Sequence, residues 1–270
     1  MELAYFFAFI FGSVVGSFLN VCIYRMPRGE SVISPWSHCT NCRRSIAWYD
    51  NIPFVSYLIL SGRCRFCKAK ISFRYFIVEG LTAAIFVLLL WRFNFSLDFL
   101  IYAALLSALI VISFIDLEHR IIPDELSVRG IVVGLIISGF YPALQNQTSW
   151  KFSLLHSLMG ILLGGISIYL MGLLGNLIIF KLMKKESIDG ETESTGLGDV
   201  KLLAMIGSFL GWKLTILTFF LAPFFGTIVG IYILFYKKRH LIPYGPFLSL
   251  AAAISIFCGD RILSFIFPIY

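Results

Sequence analysis

Two aspartates lie where an apolar chain meets polar residues. Asp116 stands in Ser113-Phe-Ile-Asp116-Leu-Glu118-His-Arg120-Ile-Ile-Pro123-Asp124, and Asp199 in Thr195-Gly196-Leu-Gly198-Asp199-Val-Lys201. A carboxylate at the edge of a long apolar run is costly and usually has a task. Two carboxyls at one site tend to hold a single proton between them. The ionised member then takes a proton from water while the protonated one polarises a carbonyl, which is the chemistry of peptide hydrolysis. Gly196 and Gly198 let backbone approach a substrate or adopt positive φ. Plainer readings stand beside this one. Asp116 can face water or pair with Arg120, and Asp199 can cap a helix. Glu118, Asp124 and Glu79 compete as carboxylates, with surface or ion-pair roles as their alternative.

A second constellation is Cys39-Thr-Asn-Cys42 with Cys64-Arg-Phe-Cys67, two CxxC knuckles separated by 21 residues. Each knuckle offers two thiolates to a tetrahedral Zn²⁺. Arg43, Arg44, Arg63, Arg65 and Lys68 favour the thiolate form. Four thiolates close the site, so the expected metal is structural. Disulfides or free redox thiols are the alternative. His38 is a possible substitute ligand beside Cys39, and Cys22 and Cys258 read as plain buried residues in apolar spans.

The elements that position these groups are membrane spans. Of the 270 residues 59% are hydrophobic and 14% charged, against about 45–50% and about 25% in soluble domains. The apolar residues form runs close to the length needed to cross a bilayer, which excludes a soluble globular fold. Eight spans are expected, at about 4–24, 76–91, 97–115, 126–141, 152–182, 200–211, 214–236 and 247–267. The fifth is long enough to tilt or extend past the bilayer, and the sixth is too short to cross alone. Met1-Glu2-Leu3 lacks a basic leader region and a small-residue cleavage site, so the first span reads as retained.

The net charge is +7, and the basic residues fall between the apolar runs. They read as loop charges that orient helices, not as a nucleic-acid surface. With residues 25–75 cytoplasmic, eighteen of the 22 Lys and Arg lie on that side. Arg92, Lys151, Lys213 and Arg261 lie on the other. The asymmetry predicts external termini and puts both aspartates at the cytoplasmic face. Gly12/Gly16, Gly130/Gly134, Gly160/Gly164, Gly207/Gly211 and Gly226/Gly230 are four-residue pairs that suit close helix packing in lipid. No clear internal repeat is present.

Read in order, these segments resemble the type IV prepilin peptidase family, the prepilin leader peptidase/N-methyltransferases. The likeness runs through Gly16-Ser17-Phe18-Leu19-Asn20-Val21, Tyr24-Arg25-Met26-Pro27, Pro35, Ser37 and both knuckles. It continues in Asp50-Asn51-Ile52-Pro53, Ser56-Tyr57, Gly62, Ile71-Ser72, Arg74-Tyr75 and Asp116-Leu117-Glu118. It closes with Ile122-Pro123-Asp124, Gly196-Leu197-Gly198-Asp199-Val200-Lys201-Leu202 and Pro243-Tyr244-Gly245-Pro246-Phe247. The resemblance implies an all-α polytopic membrane protein with a small zinc-ribbon-like insertion between the first and second helices. It implies a GxGD-type aspartic protease with Asp116 and Asp199 as the catalytic pair, acting on prepilins or pseudopilins at the cytoplasmic face of the cell membrane. It also implies methylation of the new N-terminus with S-adenosylmethionine.

The implied domains are residues 1–24 as first helix, 25–75 as a zinc-binding domain linked to methylation, and 76–270 as the embedded peptidase. No sequence feature independently marks an S-adenosylmethionine site. Two positions depart from the family pattern: Arg63 stands where Lys is usual, and Phe76 where Pro is usual. Arg is a different kind of cation from Lys, so a peptidase that has lost methylation is one alternative. Phe76 predicts a straighter start to the second span. A non-catalytic zinc-bearing scaffold or transporter is the alternative from another class.

Overall fold

A backbone surrounded by lipid must satisfy its own hydrogen bonds, and helices do this segment by segment. The computed structural model describes residues 2–178, 196–237 and 243–267. Its helices are α1 (Glu2–Arg25), α2 (Val55–Ile59), α3 (Arg74–Phe93), α4 (Leu97–His119), α5 (Asp124–Phe140), α6 (Trp150–Asn176), α7 (Leu197–Lys237) and α8 (Gly245–Ile266). No strand occurs among the described residues; only two isolated bridges do, both in the cysteine loop. Among the described residues, six helices are long and apolar enough to cross a membrane. The eight expected apolar segments map onto α1, α3, α4, α5, the two arms of α7 on either side of Gly211, α6 and α8. The protein is an all-helical polytopic membrane protein with a four-cysteine insertion after its first helix. The end of the fifth expected span and the loop with Lys181, Lys184 and Lys185 lie outside the described residues.

The chain divides into two compact units, Met1–Ile115 and Asp116–Tyr270. In the first, α1 and α3 cross closely at two glycines of α1. A Cβ on Gly12 would lie 2.8 Å from Cα of Ala83, and one on Gly16 would lie 2.8 Å from Cα of Glu79. The four-residue spacing thus serves helix packing. Buried Asn20 donates to the carbonyls of Gly16 and Tyr75, at 3.3 and 3.1 Å, tying α1 to the start of α3. Glu79 accepts the backbone N–H of Phe54 at 2.9 Å and ties the cysteine insertion to α3. This assigns Glu79 a positioning role in the insertion. α3 spans Arg74–Phe93 and has Phe76 in its first turn.

In the second unit α6 and α7 pack backbone to backbone: a Cβ on Gly160 would collide with the carbonyl of Gly207. α7 has a non-helical residue at Gly211, with φ 70 and ψ 174, a region open essentially to glycine alone. The two arms lie side by side. A Cβ on Gly164 would be 2.7 Å from the Leu203 carbonyl oxygen and 3.1 Å from Cγ2 of Thr215, residues a straight helix would hold about 18 Å apart. At the reversal the Ser208 carbonyl accepts from the hydroxyls of Ser157 (2.8 Å) and Ser138 (3.2 Å) and the amide of Gln145 (3.3 Å). A buried carbonyl in an apolar surrounding needs such partners.

One expectation is corrected. Cys258 is exposed, whereas Cys22 is buried as expected. The buried stripe of α8 runs through Gly245, Leu248, Ala252, Ser255, Ile256 and Gly259, and Cys258 falls beside it.

Candidate active site

Three helix ends in the second unit converge. α4 delivers Asp116 from its last turn, where the residue is 6% exposed. The α4 backbone closes there: Arg120 has φ 56, and its N–H bonds the Asp116 carbonyl at 2.9 Å. Ile121 and Ile122 then lead through Pro123, in extended geometry, to α5. α7 delivers Asp199 from its first turn, with the Asp199 N–H bonding the Gly196 carbonyl at 3.2 Å. Asp199 lies inside the helix, so it does not occupy the cap position weighed from sequence. α8 opens at Gly245, whose N–H donates to Oδ2 of Asp116 at 2.9 Å. The turn carrying Asp199 meets the segment that follows Asp116, where a Cβ on Gly198 would lie 3.0 Å from Cβ of Ile122.

Of the two roles expected of the flanking glycines, positive φ is not the one adopted. Neither Gly196 nor Gly198 has positive φ. Gly198 instead makes room for the α4–α5 connection: its Cβ would lie 3.0 Å from Cβ of Ile122. Asp124, weighed as a competing carboxylate, grips Lys201 Nζ with both oxygens, at 2.7 and 2.9 Å. Glu118 is exposed. Thr195 lies outside the described residues.

Gly245 and Tyr244 entered the sequence reading only as part of a longer motif. No pattern marks a backbone N–H as the partner of a carboxylate 129 residues away. Tyr244 borders the pair and lines a cavity of about 270 Å³ with Met171, Pro223, Gly226, Thr227 and Phe247. Its hydroxyl is buried without a partner among the described residues.

The four cysteines form a separate centre in the first unit. Their Sγ atoms all lie within 4.8 Å of one another. Cys39 and Cys67 are 3.8 Å apart, the edge expected of a tetrahedron with Zn–S bonds of about 2.3 Å. The knuckles are built alike. Cys39 N–H bonds the Arg44 carbonyl and Cys64 N–H the Ala69 carbonyl, each at 2.9 Å. Arg43 and Lys68 follow their knuckles with φ 57 and 58, and His38↔Ser45 and Arg63↔Lys70 close the two loops. The Ala69 N–H, followed by the Asn41 side chain, pulls Cys67 down to about 6. His38 turns to the Trp36 carbonyl at 3.1 Å. The donor set therefore suits one metal ion held by four sulfurs, such as zinc. Nearby, Arg65 clamps Asp50 with two bonds of 2.7 and 2.6 Å and holds its carboxyl below the usual range.

Comparison with known proteins places these features in a family of membrane peptidases. Residues 10–93 match the bacterial peptidase A24 N-terminal domain, and residues 103–231 the type IV leader peptidase family. A prepilin leader peptidase/N-methyltransferase of Pseudomonas putida is 32% identical over 97% of this chain and 94% of its own. Proteins of the same description from Pseudomonas aeruginosa and Myxococcus xanthus are 33% and 36% identical, over 94% and 86% of this chain. The alignments cover 90% of the former and 64% of the latter. The chain belongs to the type IV leader peptidase family. No solved structure gives a significant match.

Proposed function

We propose that the protein cleaves the leader from type IV prepilins or pseudopilins with Asp116 and Asp199, and then methylates the new N-terminus using S-adenosylmethionine. The observation that carries the peptidase reading is the meeting of three segments: the Gly245 N–H bonds Oδ2 of Asp116 at 2.9 Å, and the turn that carries Asp199 packs at Gly198 against Ile122 on the connection leaving Asp116. The bond fixes one carboxyl oxygen and leaves the rest of the group for water and partner. A water between the carboxyls loses a proton to the ionised member as its oxygen attacks the scissile carbonyl carbon. The protonated member donates to the carbonyl oxygen. When the tetrahedral intermediate collapses, the C–N bond breaks, the proton taken from water passes to the leaving amine, and the hydroxyl that reforms the carbonyl returns its proton to the carboxylate that had donated it. The cavity beside Tyr244 is apolar enough to receive substrate next to the scissile bond.

The basic-residue asymmetry supports a cytoplasmic face for this junction and for the cysteine centre, with external termini in the cell membrane. Cys39, Cys42, Cys64 and Cys67 hold a structural Zn²⁺ that cross-links the insertion. Residues 25–75 serve the methyl-transfer step, while 76–270 carry the peptidase.

The test uses purified full-length protein and a prepilin, with mass as readout. Asp116→Asn and Asp199→Asn each abolish shortening while the chain still inserts. Glu118→Gln is the control. Shortening by Asp199→Asn at near wild-type rate overturns the pair. A mass gain of one methyl group on the product tests the second activity.

A further inference from the structure

Asp199 and Lys201 are two residues apart at the start of α7, so helical geometry points them about 200° apart. Lys201 therefore cannot join Asp199 at a substrate. It is held instead by Asp124, the first residue of α5, in a two-pronged ion pair of 2.7 and 2.9 Å. Beside it, Ile122 packs on Gly198 in the space a side chain would fill. The segment from Asp116 to Asp124 thus touches the segment from Gly198 to Lys201 at two points, and each segment carries one aspartate. We propose that the Asp124–Lys201 pair is a positioning clasp that sets the rotation of α7's first turn and aims Asp199 at Asp116.

The pair is partly exposed on both sides, and exposed ion pairs contribute little to stability. The first turn of a helix is also where backbone N–H groups lack helical partners, so its orientation depends on outside contacts. Rotation of that turn displaces Asp199 without unfolding anything, and displacements near 1 Å cost about 100-fold in rate. The clasp touches no substrate. Its loss lowers kcat and leaves KM unchanged.

This inference rests on the two-aspartate reading, and the experiment separates the two. Full-length Asp124→Asn, Lys201→Gln, their double variant, Lys201→Arg and Asp199→Asn are assayed for kcat and KM on a purified prepilin, with thermal midpoints alongside. Each neutral single variant lowers kcat about tenfold or more at constant KM and midpoint. The double variant is no worse than either, as expected for one interaction removed twice. Lys201→Arg keeps most of the rate. Wild-type kcat in both single variants, additive losses in the double, or a midpoint that falls with the activity overturns the clasp. If Asp199→Asn is inactive in that outcome, the aspartate pair stands without it. If Asp199→Asn is active, the pair falls too.

Discussion

The N–H of Gly245 points at Oδ2 of Asp116 from 2.9 Å, and the hydrogen on its Cα faces the same oxygen. A Cβ there would lie 2.8 Å from Oδ2 and 3.3 Å from Cγ of Asp116. Gly245→Ala keeps the donor but pushes the carboxyl away. The expected result is about a 100-fold loss of prepilin cleavage with normal membrane insertion, measured by mass on purified protein. An unchanged rate would show that the carboxyl does not need this seat.

The pH–rate profile of cleavage is expected to have two limbs. On the acid side both carboxyls are protonated and no base remains. On the alkaline side both are ionised and the shared proton is gone. The limbs belong to the pair. The Asp116→Asn and Asp199→Asn double variant is accordingly no worse than either single variant. A monotonic profile, or additive losses, contradicts the pair.

Elemental analysis is expected to find about one Zn²⁺ per chain, as four sulfurs in a tetrahedron require. Replacing Cys39 and Cys42 together removes it. Methylation is lost, while cleavage is less affected because the knuckles and the aspartates belong to different compact units. Metal retained in that double variant, or oxidised thiols in freshly isolated protein, contradicts the four-thiolate centre.

A reporter fused after Tyr75 is expected to read cytoplasmic, because eighteen of the 22 basic residues fall on that side of the apolar spans. An external signal reverses the orientation and removes the cysteines from a reducing compartment.

Gly211→Ala is expected to destabilise the second unit by about 1–3 kcal/mol, the cost of an L-residue in that backbone region. The added Cβ also meets Oε1 of Gln145 at 3.1 Å. A lower thermal midpoint in detergent checks this; an unchanged one means the reversal adjusts without strain.

Long apolar runs made the spans legible, because length and hydropathy are local properties. Asp116 and Asp199 stand out because a carboxylate at the edge of such a run is conspicuous, and the knuckles because both cysteines of each lie within four residues. What stayed hidden depends on tertiary approach. That Gly198 makes room for Ile122, 76 residues earlier, is invisible to any local pattern. Asp124 looked like one more loop carboxylate, since nothing local pairs it with Lys201, 77 residues on. The short sixth span looked weak because it is one arm of a helix whose reversal rests on a single glycine and the donors around Ser208. Cys258 was misjudged because apolar neighbours in sequence do not say which face of a helix is covered.

The reversal of α7 settles a question of parity. Unbent, a helix of 41 residues would be about 60 Å long at about 1.5 Å per residue, twice the thickness of a hydrocarbon core. It would carry the chain away from Asp199 and never bring Gly245 back to Asp116. Folded at Gly211, the same residues make an out-and-back pass, so α7 ends on the side where it began, and α8 opens there at Gly245. The seat of Asp116 on Gly245 thus depends on the number of passes between them, and a change that added or removed one would strand Gly245 across the bilayer from the carboxyl it holds.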